Sequence, residues 1–344
     1  MTASQVAPQR AAGAARIRSS APLLRFLLGR LVQMGVTLAV LLPAIFLLFR
    51  LVPGDPATAV VGPDVDPSVA AGLRAQYGLD QPLWEQFQRW LIQLAHGDLG
   101  LSFQYQTPVT ELLGERLLNT MVLVVPALVI GVVLGTLLGA VSAASGPKFD
   151  HAVRTSAYFI KASPSFWIAI LALLLFSFKL GWVPSIGMES QDSAGETGLG
   201  RFLTLDFLHH LILPLSILAV YYLVEPALTM RAAMKEVLDK EFIALGRAQG
   251  LSKRRVIFRH GARNGLLPVV SLAPVLLDTI IGGQIITETV FSWPGMGRAI
   301  VEAVDNFDYP MMQGIFLLMA VTVVVVNAVV DVLYAYLDPR VRLS

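Results

Sequence analysis

The chain has 344 residues, of which 55% are hydrophobic and 15% charged, with a mean hydropathy of +0.65. A soluble domain does not combine so much apolar surface with so little charge, so an integral membrane protein is indicated. The net charge of +2 says little, because its distribution matters more, and the lack of cysteine excludes disulfides and thiolate metal sites.

Six stretches meet the roughly 20 mostly apolar residues that a bilayer-spanning helix needs: Phe26–Phe49, Asn119–Ala143, Ser156–Phe178, Leu208–Thr229, Gly265–Thr287 and Met311–Tyr336. The expected fold class is therefore all-α and integral to the membrane, with six transmembrane helices and a helical outer subdomain between the first two. Lys and Arg concentrate on cytoplasmic loops. Arg10, Arg16, Arg18, Arg25 and Arg30 lead into the first span with no acid among residues 1–30, and nine basic residues lie between Arg231 and Arg263. Residues 51–118 carry eight acids against Arg74, Arg89 and Arg116. Both termini are thus expected in the cytoplasm.

In chain order, residues 1–25 read as a disordered cytoplasmic extension. The first apolar run, residues 26–50, is too long for a signal-peptide core and ends in Arg50-Leu51-Val52-Pro53 without a cleavage site, so it reads as a retained span. Pro53-Gly54-Asp55-Pro56 ends it. Residues 51–118 form the expected outer subdomain, in which Leu83, Phe87, Trp90, Leu91 and Leu94 share one face of a helix. That face either packs on the spans or lies at the lipid interface, or else docks an external partner.

Residues 119–337 are expected to hold the other five spans, followed by a cytoplasmic tail at 338–344. Gly131, Gly135 and Gly139 recur every four residues in the second span, a spacing that lets another helix backbone approach closely. Pro126, Pro214 and Pro274 predict local kinks. Asp278 falls mid-way along the fifth span, where a carboxylate either lines a polar route or meets a buried partner. Glu225 in the fourth span and Asn327 with Asp331 in the sixth are further translocation-pathway candidates, with inter-helix contacts as the plainer reading.

The loop at 231–263 is the most informative segment. Phe242, Ile243, Leu245, Leu251, Val256, Ile257 and Phe258 interleave with basic residues around Gly246 and Gly250. Two short amphipathic helices separated by a glycine turn would present an apolar ridge with a basic rim, a shape suited to a groove on another protein. Anionic lipid or nucleic acid is the competing occupant for such charge. There is no P-loop, no H-E-x-x-H, no G-x-S-x-G, and no metal-ligand spacing among the five histidines, so an enzyme reading has no residues behind it.

The chain resembles the integral-membrane permease of bacterial ATP-binding-cassette importers, specifically the B-type subunit of the dipeptide, oligopeptide and nickel branch. The resemblance runs from about Phe26 to Arg342. Its motifs include Pro53-Gly54-Asp55-Pro56-Ala57, Tyr77-Gly78-Leu79-Asp80-Gln81-Pro82, Ser163-Pro164-Ser165-Phe166-Trp167, Asp308-Tyr309-Pro310, Asp338-Pro339-Arg340-Val341-Arg342, and the run from Thr287 to Arg298 that contains Phe291-Ser292-Trp293-Pro294-Gly295.

That resemblance implies a permease fold of the type I importers and a coupling element around Ala244, Leu245, Gly246, Gly250, Leu251, Val256 and Phe258. Ala244, Leu245 and Gly246 stand where the family's Glu-Ala-Ala would be, so a Glu-mediated contact is not expected. It further implies a related C-type permease partner, one or two P-loop ATPase subunits that use ATP and Mg, and an external substrate-binding protein. No cofactor on this chain and no nucleic-acid partner are implied; membrane lipid surrounds it. Phe291, Trp293, Pro294 and Gly295 become candidates for an outer gate-shaping turn or for contact with the delivered substrate or its carrier, Trp293 being expected at the interface. The competing function, a stand-alone ion-coupled secondary transporter, would call for internal repeats and paired interrupted helices.

Overall fold

The computed structural model describes residues 21–51, 67–76, 78–190, 198–273, 275–276 and 285–337; side chains are described from Leu28 onward and not beyond Ala328, nor at a few positions of the 67–76 helix. The described residues are helical and contain no strand, only an isolated antiparallel bridge between Leu101 and Pro108.

Among the described residues, four helices are long and apolar enough to cross a membrane. They are α1 (Ala21–Leu51, with the apolar stretch from Leu28), α4 (Val109–Ala144), α7 (Leu205–Leu238) and α13 (Tyr309–Leu337, with the apolar stretch to Ala328). Between them lie α2 (Pro67–Gln76), α3 (Leu83–Ala95), α5 (Pro147–Ala162), α6 (Ser165–Ala172, continued by a π-helical turn Leu173–Lys179), α8 (Glu241–Ala248), α9 (Lys253–Arg255, continued by a π turn Val256–Gly261), α10 (Ala262–Val270), α11 (Ile285–Val290) and α12 (Met296–Asp305).

Two of the expectations for the spans are corrected, and one lies partly outside the described residues. The third, Ser156–Phe178, is not one straight helix: α5 and α6 meet at Ser163–Pro164 with a bend of 101°. Proline disfavours the α conformation of the residue before it, and Ser163 is extended (ψ 133°). Counted as one broken span, the pair brings the total to five. The fifth expected span, Gly265–Thr287, runs through residues 277–284, outside the described residues, and its described start belongs to α10. Finally, α1 begins at Ala21 rather than Phe26, α4 at Val109 rather than Asn119, and α7 runs past Thr229 to Leu238. At 1.5 Å per residue the 36 residues of α4 reach about 54 Å, well beyond a hydrocarbon core of about 30 Å.

The α4–α7 pair is the spine of the fold. Gly131, Gly135 and Gly139 face α7 so closely that no side chain fits. A Cβ at Gly131 would lie 2.6 Å from Tyr222 Cβ, and at Gly135 and Gly139 it would collide with the carbonyl oxygens of Leu223 and Ala227. Leu123, Val124, Ala127, Leu218, Ala219 and Tyr222 fill the adjoining core, with Phe207 and Trp293 at one end. A second core joins α1, α4, α12 and α13 through Phe49, Val109, Leu113, Met296, Tyr309 and Ile315. On α3, Phe87 and Trp90 turn toward α1, with ring centroids 5.1 and 5.8 Å from Phe46. Leu83 remains half exposed beside Trp84.

Candidate functional site: the glycine-centred loop and the Trp293 turn

Helix α8 ends in a Schellman arrangement. The Gly250 N–H donates to Arg247 O at 3.0 Å and the Leu251 N–H to Gly246 O at 3.1 Å, with Gly250 in the left-handed region at φ +79°. Such a backbone favours glycine because a Cβ there crowds the neighbouring carbonyl. Ser252 then caps α9, its Oγ accepting from the Arg255 N–H at 3.4 Å.

The turn sorts the apolar residues into two sets. Ile243 and Val256 are buried, whereas Phe242, Leu245 and Phe258 are 46%, 59% and 42% exposed; Ala244 is exposed too, and Leu251 lies between. The chain after the turn rests on α7, where Gly261 and Gly265 pack against Met234, and Met230 and Met234 are fully buried. Between the loop and the ends of α4 and α7, a cavity of about 530 Å³ is lined by Ala143, Ser145, Leu238, Arg247, Leu251, Lys253, Val256 and Ile257, among others. An outward apolar ridge with a basic margin on a firmly seated base is the result.

Asp150 fastens the neighbouring corner. It accepts from Arg231 Nη2 at 2.6 Å and also from Arg231 Nε, from Lys235 Nζ at 2.7 Å, and from Ser142 Oγ at 2.9 Å. Asp150 is 8% exposed. Sequence reasoning passed over it; the available signal was Arg231 and Lys235 one helical turn apart, forming a two-cation face near the end of a span.

The Phe291–Gly295 turn sits differently from expectation. Trp293 is fully buried and Phe291 is 3% exposed, so neither side chain lies at an interface. The turn is stitched to α4: Trp293 Nε1 donates to Asn119 O, and Asn119 Nδ2 to Pro294 O, both at 2.9 Å, while Arg201 Nη2 reaches Asn119 Oδ1 at 2.8 Å. Beneath it Glu288 is completely buried. Its Oε2 accepts from the Gly297 and Arg298 N–H groups at 2.7 and 3.1 Å, and its Oε1 from Thr120 Oγ1 at 2.7 Å. Thr120 Oγ1 in turn accepts from the Met296 N–H at 2.8 Å. The first three N–H groups of α12, which have no partner within the helix, are thus satisfied from outside it. The carboxylate also sits where the helix dipole favours negative charge. A Cβ at Gly295 would lie 2.5 Å from the Glu288 carboxyl, so glycine is required there. Glu288 and Asn119 were not singled out by sequence.

The pathway candidates do not converge among the described residues. Glu225 pairs with Lys161 of α5, both side chains about half exposed. Asn327 is exposed on α13. Asp331 lies one turn further along, where only the backbone is described, and Asp278 lies outside the described residues. On the opposite end of the fold from the loop, Asp308 caps α13, accepting from the Met311 N–H at 3.2 Å and from Ser102 Oγ. Nearby, burial and the Glu302 carboxylate push the Tyr105 hydroxyl above its ordinary range.

Comparison with known proteins settles the family. Residues 131–343 match the binding-protein-dependent transport system inner membrane component family, and residues 23–124 match the N-terminal region of such membrane components. The chain belongs to this family of transport permeases. A provisionally named peptide transport system permease protein of Brucella abortus is 39% identical over 299 residues, 86% of this chain and 92% of the relative. The oligopeptide transport system permease protein AppB of Bacillus subtilis is 33% identical over the same extent. The glutathione transport system permease protein GsiC of Salmonella paratyphi A is 34% identical over 321 residues, 93% of this chain and 99% of the relative. The permease is accordingly a multi-pass inner membrane component of an importer of the ATP-binding-cassette type.

Proposed function

We propose that this permease forms half of the translocation pathway for di- or oligopeptides, driven by ATPase subunits that bind at residues 241–261. The observation that carries the coupling role is the Gly250 Schellman turn, which seats Ile243 and Val256 inward and leaves Phe242, Leu245 and Phe258 outward. An apolar ridge of this kind fits a groove on a soluble partner, and the basic rim gives it orientation. ATP and Mg belong to those partners. A related C-type permease completes the pore, and an external binding protein delivers the cargo.

In this arrangement the loop side and both termini face the cytoplasm, in keeping with the distribution of Lys and Arg. Movement of the ridge is passed to α7 through Met230 and Met234, and from α7 to α4 along the glycine seam. ATP state and pore state are coupled because each biases the same packed element. The Trp293 turn shapes the outer gate by its rigidity rather than by touching cargo, since its aromatic side chains are buried. The permease itself carries out no chemical step.

Affinity purification of the chain from its native membrane in mild detergent tests this reading. The expected result is a second permease and one or two P-loop ATPases in stoichiometric amounts, lost on Gly250→Trp in a protein that still inserts. A well-folded homomer without an ATPase would overturn it and favour an ion-coupled transporter.

A further inference from the structure

A second polar cavity, of about 510 Å³, lies where the Leu51 end of α1, α3 with the segment after it, and the head of α13 converge. That volume is within the range of small-molecule sites. Among the described residues, four buried side-chain atoms have no hydrogen-bond partner, and three of the four belong to residues lining this cavity: Arg50 Nε, Gln86 Oε1 and Gln313 Nε2. Gln86 and Gln313 are only 8% and 5% exposed. Native structures seldom leave such atoms unmet, so their clustering points to an occupant.

The chemistry of that occupant follows from the three atoms. Arg50 is held over the rings of Phe46 and Tyr309, at 5.4 and 5.7 Å from their centroids, and forms no ion pair among the described residues. It offers a donor and a full positive charge. Gln313 offers a second donor. Gln86 offers an acceptor, and its orientation is fixed because its amide nitrogen already donates to Gln81 O at 2.7 Å and Leu79 O at 3.3 Å. Arg89 adds a second guanidinium to the lining, while Asp98, the one acid there, accepts from the Gly100 N–H at 2.8 Å. An inorganic anion would satisfy the donors but leave the Gln86 acceptor bare. A peptide C-terminus supplies both a carboxylate and, on the same last residue, an amide N–H.

We propose that this cavity receives the C-terminal carboxylate and last amide of a peptide, with Arg50 and Gln313 donating to the carboxylate and Gln86 accepting from the amide; the proposal rests on the peptide-importer reading above. Charge-assisted bonds of this type are the strong ones, and Arg50 is already oriented for them by its aromatic neighbours. Such a site would discriminate free peptide ends from blocked ones at the outer face, before the cargo enters the pore.

The test uses the intact transporter, purified with its co-purifying subunits and placed in lipid nanodiscs. The probe is a dipeptide whose last side chain carries a diazirine, compared with its C-terminal amide. The expected result is labelling within residues 78–103 or 309–313, reduced about tenfold or more by amidation and likewise by Gln313→Leu or Arg50→Lys. Because the amide comparison needs no variant, a folding defect in either variant leaves the test intact. Labelling indifferent to amidation, labelling elsewhere in the chain, or displacement by acetate with no contribution from the peptide, meaning an adventitious ion only, would each overturn the proposal. Peptide uptake is measured on the same purified complex reconstituted into sealed proteoliposomes with its binding protein and ATP: retained uptake with amidation-insensitive labelling removes this site alone, whereas absence of peptide uptake removes the importer reading and the site together.

Discussion

The buried Glu288 carboxylate accepts the Gly297 N–H at 2.7 Å, and the two residues are locked together from both sides. A Cβ at Gly297 would lie 2.6 Å from Ile285 Cα and 2.7 Å from its backbone nitrogen, so the helix α12 approaches α11 at backbone distance. Gly297→Ala is expected to force these helices apart at a cost of about 1–3 kcal/mol, the usual range for overpacking. Glu288→Ala should cost at least as much, because Thr120 Oγ1 and two helix N–H groups lose their acceptor while remaining buried. The check is the temperature at which the detergent-solubilised permease loses its monodisperse peak; unchanged values for both variants would refute the account.

The α4–α7 seam predicts a contrast within one helix. Gly139→Ala places a methyl group against the Ala227 carbonyl and 3.0 Å from Met230 Cβ, with backbone rather than a flexible side chain in the way. Gly114, also in α4, has nothing within 4 Å of its Cβ position. Gly139→Ala should therefore destabilise by about 1–3 kcal/mol, whereas Gly114→Ala should be neutral or stabilising by up to about 1 kcal/mol, the difference in helix propensity. Equal effects in the same thermal assay would show that the seam does not hold the helices.

The parts of the fold that were legible in the sequence are those governed by local pattern. The long apolar runs, the four-residue glycine spacing and the glycine turn at Gly250 all follow from periodicity or from a single residue's backbone freedom. Helix ends were less legible because α4 and α7 continue beyond the apolar runs through more polar turns such as Val109–Leu118 and Arg231–Leu238, where hydropathy falls but helix propensity does not. Ser163-Pro164 was readable as a break, yet the apolar flanks concealed it. Asn119, Glu288 and Asp150 could not be found by pattern: Glu288 and Thr120 are 168 residues apart and Asp150 and Arg231 are 81 apart, and only packing brings each pair together. Trp293 was misplaced for a related reason, since a lone tryptophan beside Pro-Gly has the same sequence appearance at an interface and in a core.

Two carboxylates that tie α5 to α7 are expected to differ sharply in strength: Asp150, paired with Arg231 and Lys235, and Glu225, paired with Lys161. Asp150 and Arg231 have side chains only 11% and 14% exposed, and removing one partner strands a largely buried charge. Asp150→Ala should cost about 3–5 kcal/mol. Lys161 and Glu225 are 56% and 48% exposed, so Lys161→Ala should cost no more than about 1 kcal/mol, and high salt should erase that cost while leaving most of the Asp150 loss in place. Thermal melts at low and high salt measure both; a large, salt-independent loss in Lys161→Ala would mean that the Glu225 pair is shielded within the assembled pore.

The outward ridge makes the most direct prediction about coupling. Leu245 is 59% exposed, so Leu245→Asp leaves the permease fold nearly unchanged, within about 0.5 kcal/mol as for other surface substitutions. In a partner's groove the same change buries an unpaired carboxylate, which is strongly unfavourable. Gly250→Ala acts on the other determinant: a side chain at φ +79° costs about 1–2 kcal/mol and tilts the second half of the loop. The expected outcome is that Leu245→Asp keeps its melting temperature yet loses co-purifying ATPase, while Gly250→Ala loses some of both. Retention of the ATPase and of ATP-dependent uptake in Leu245→Asp would exclude the ridge as the coupling surface and leave the cavity beside Arg247 and Lys253 as the place to look.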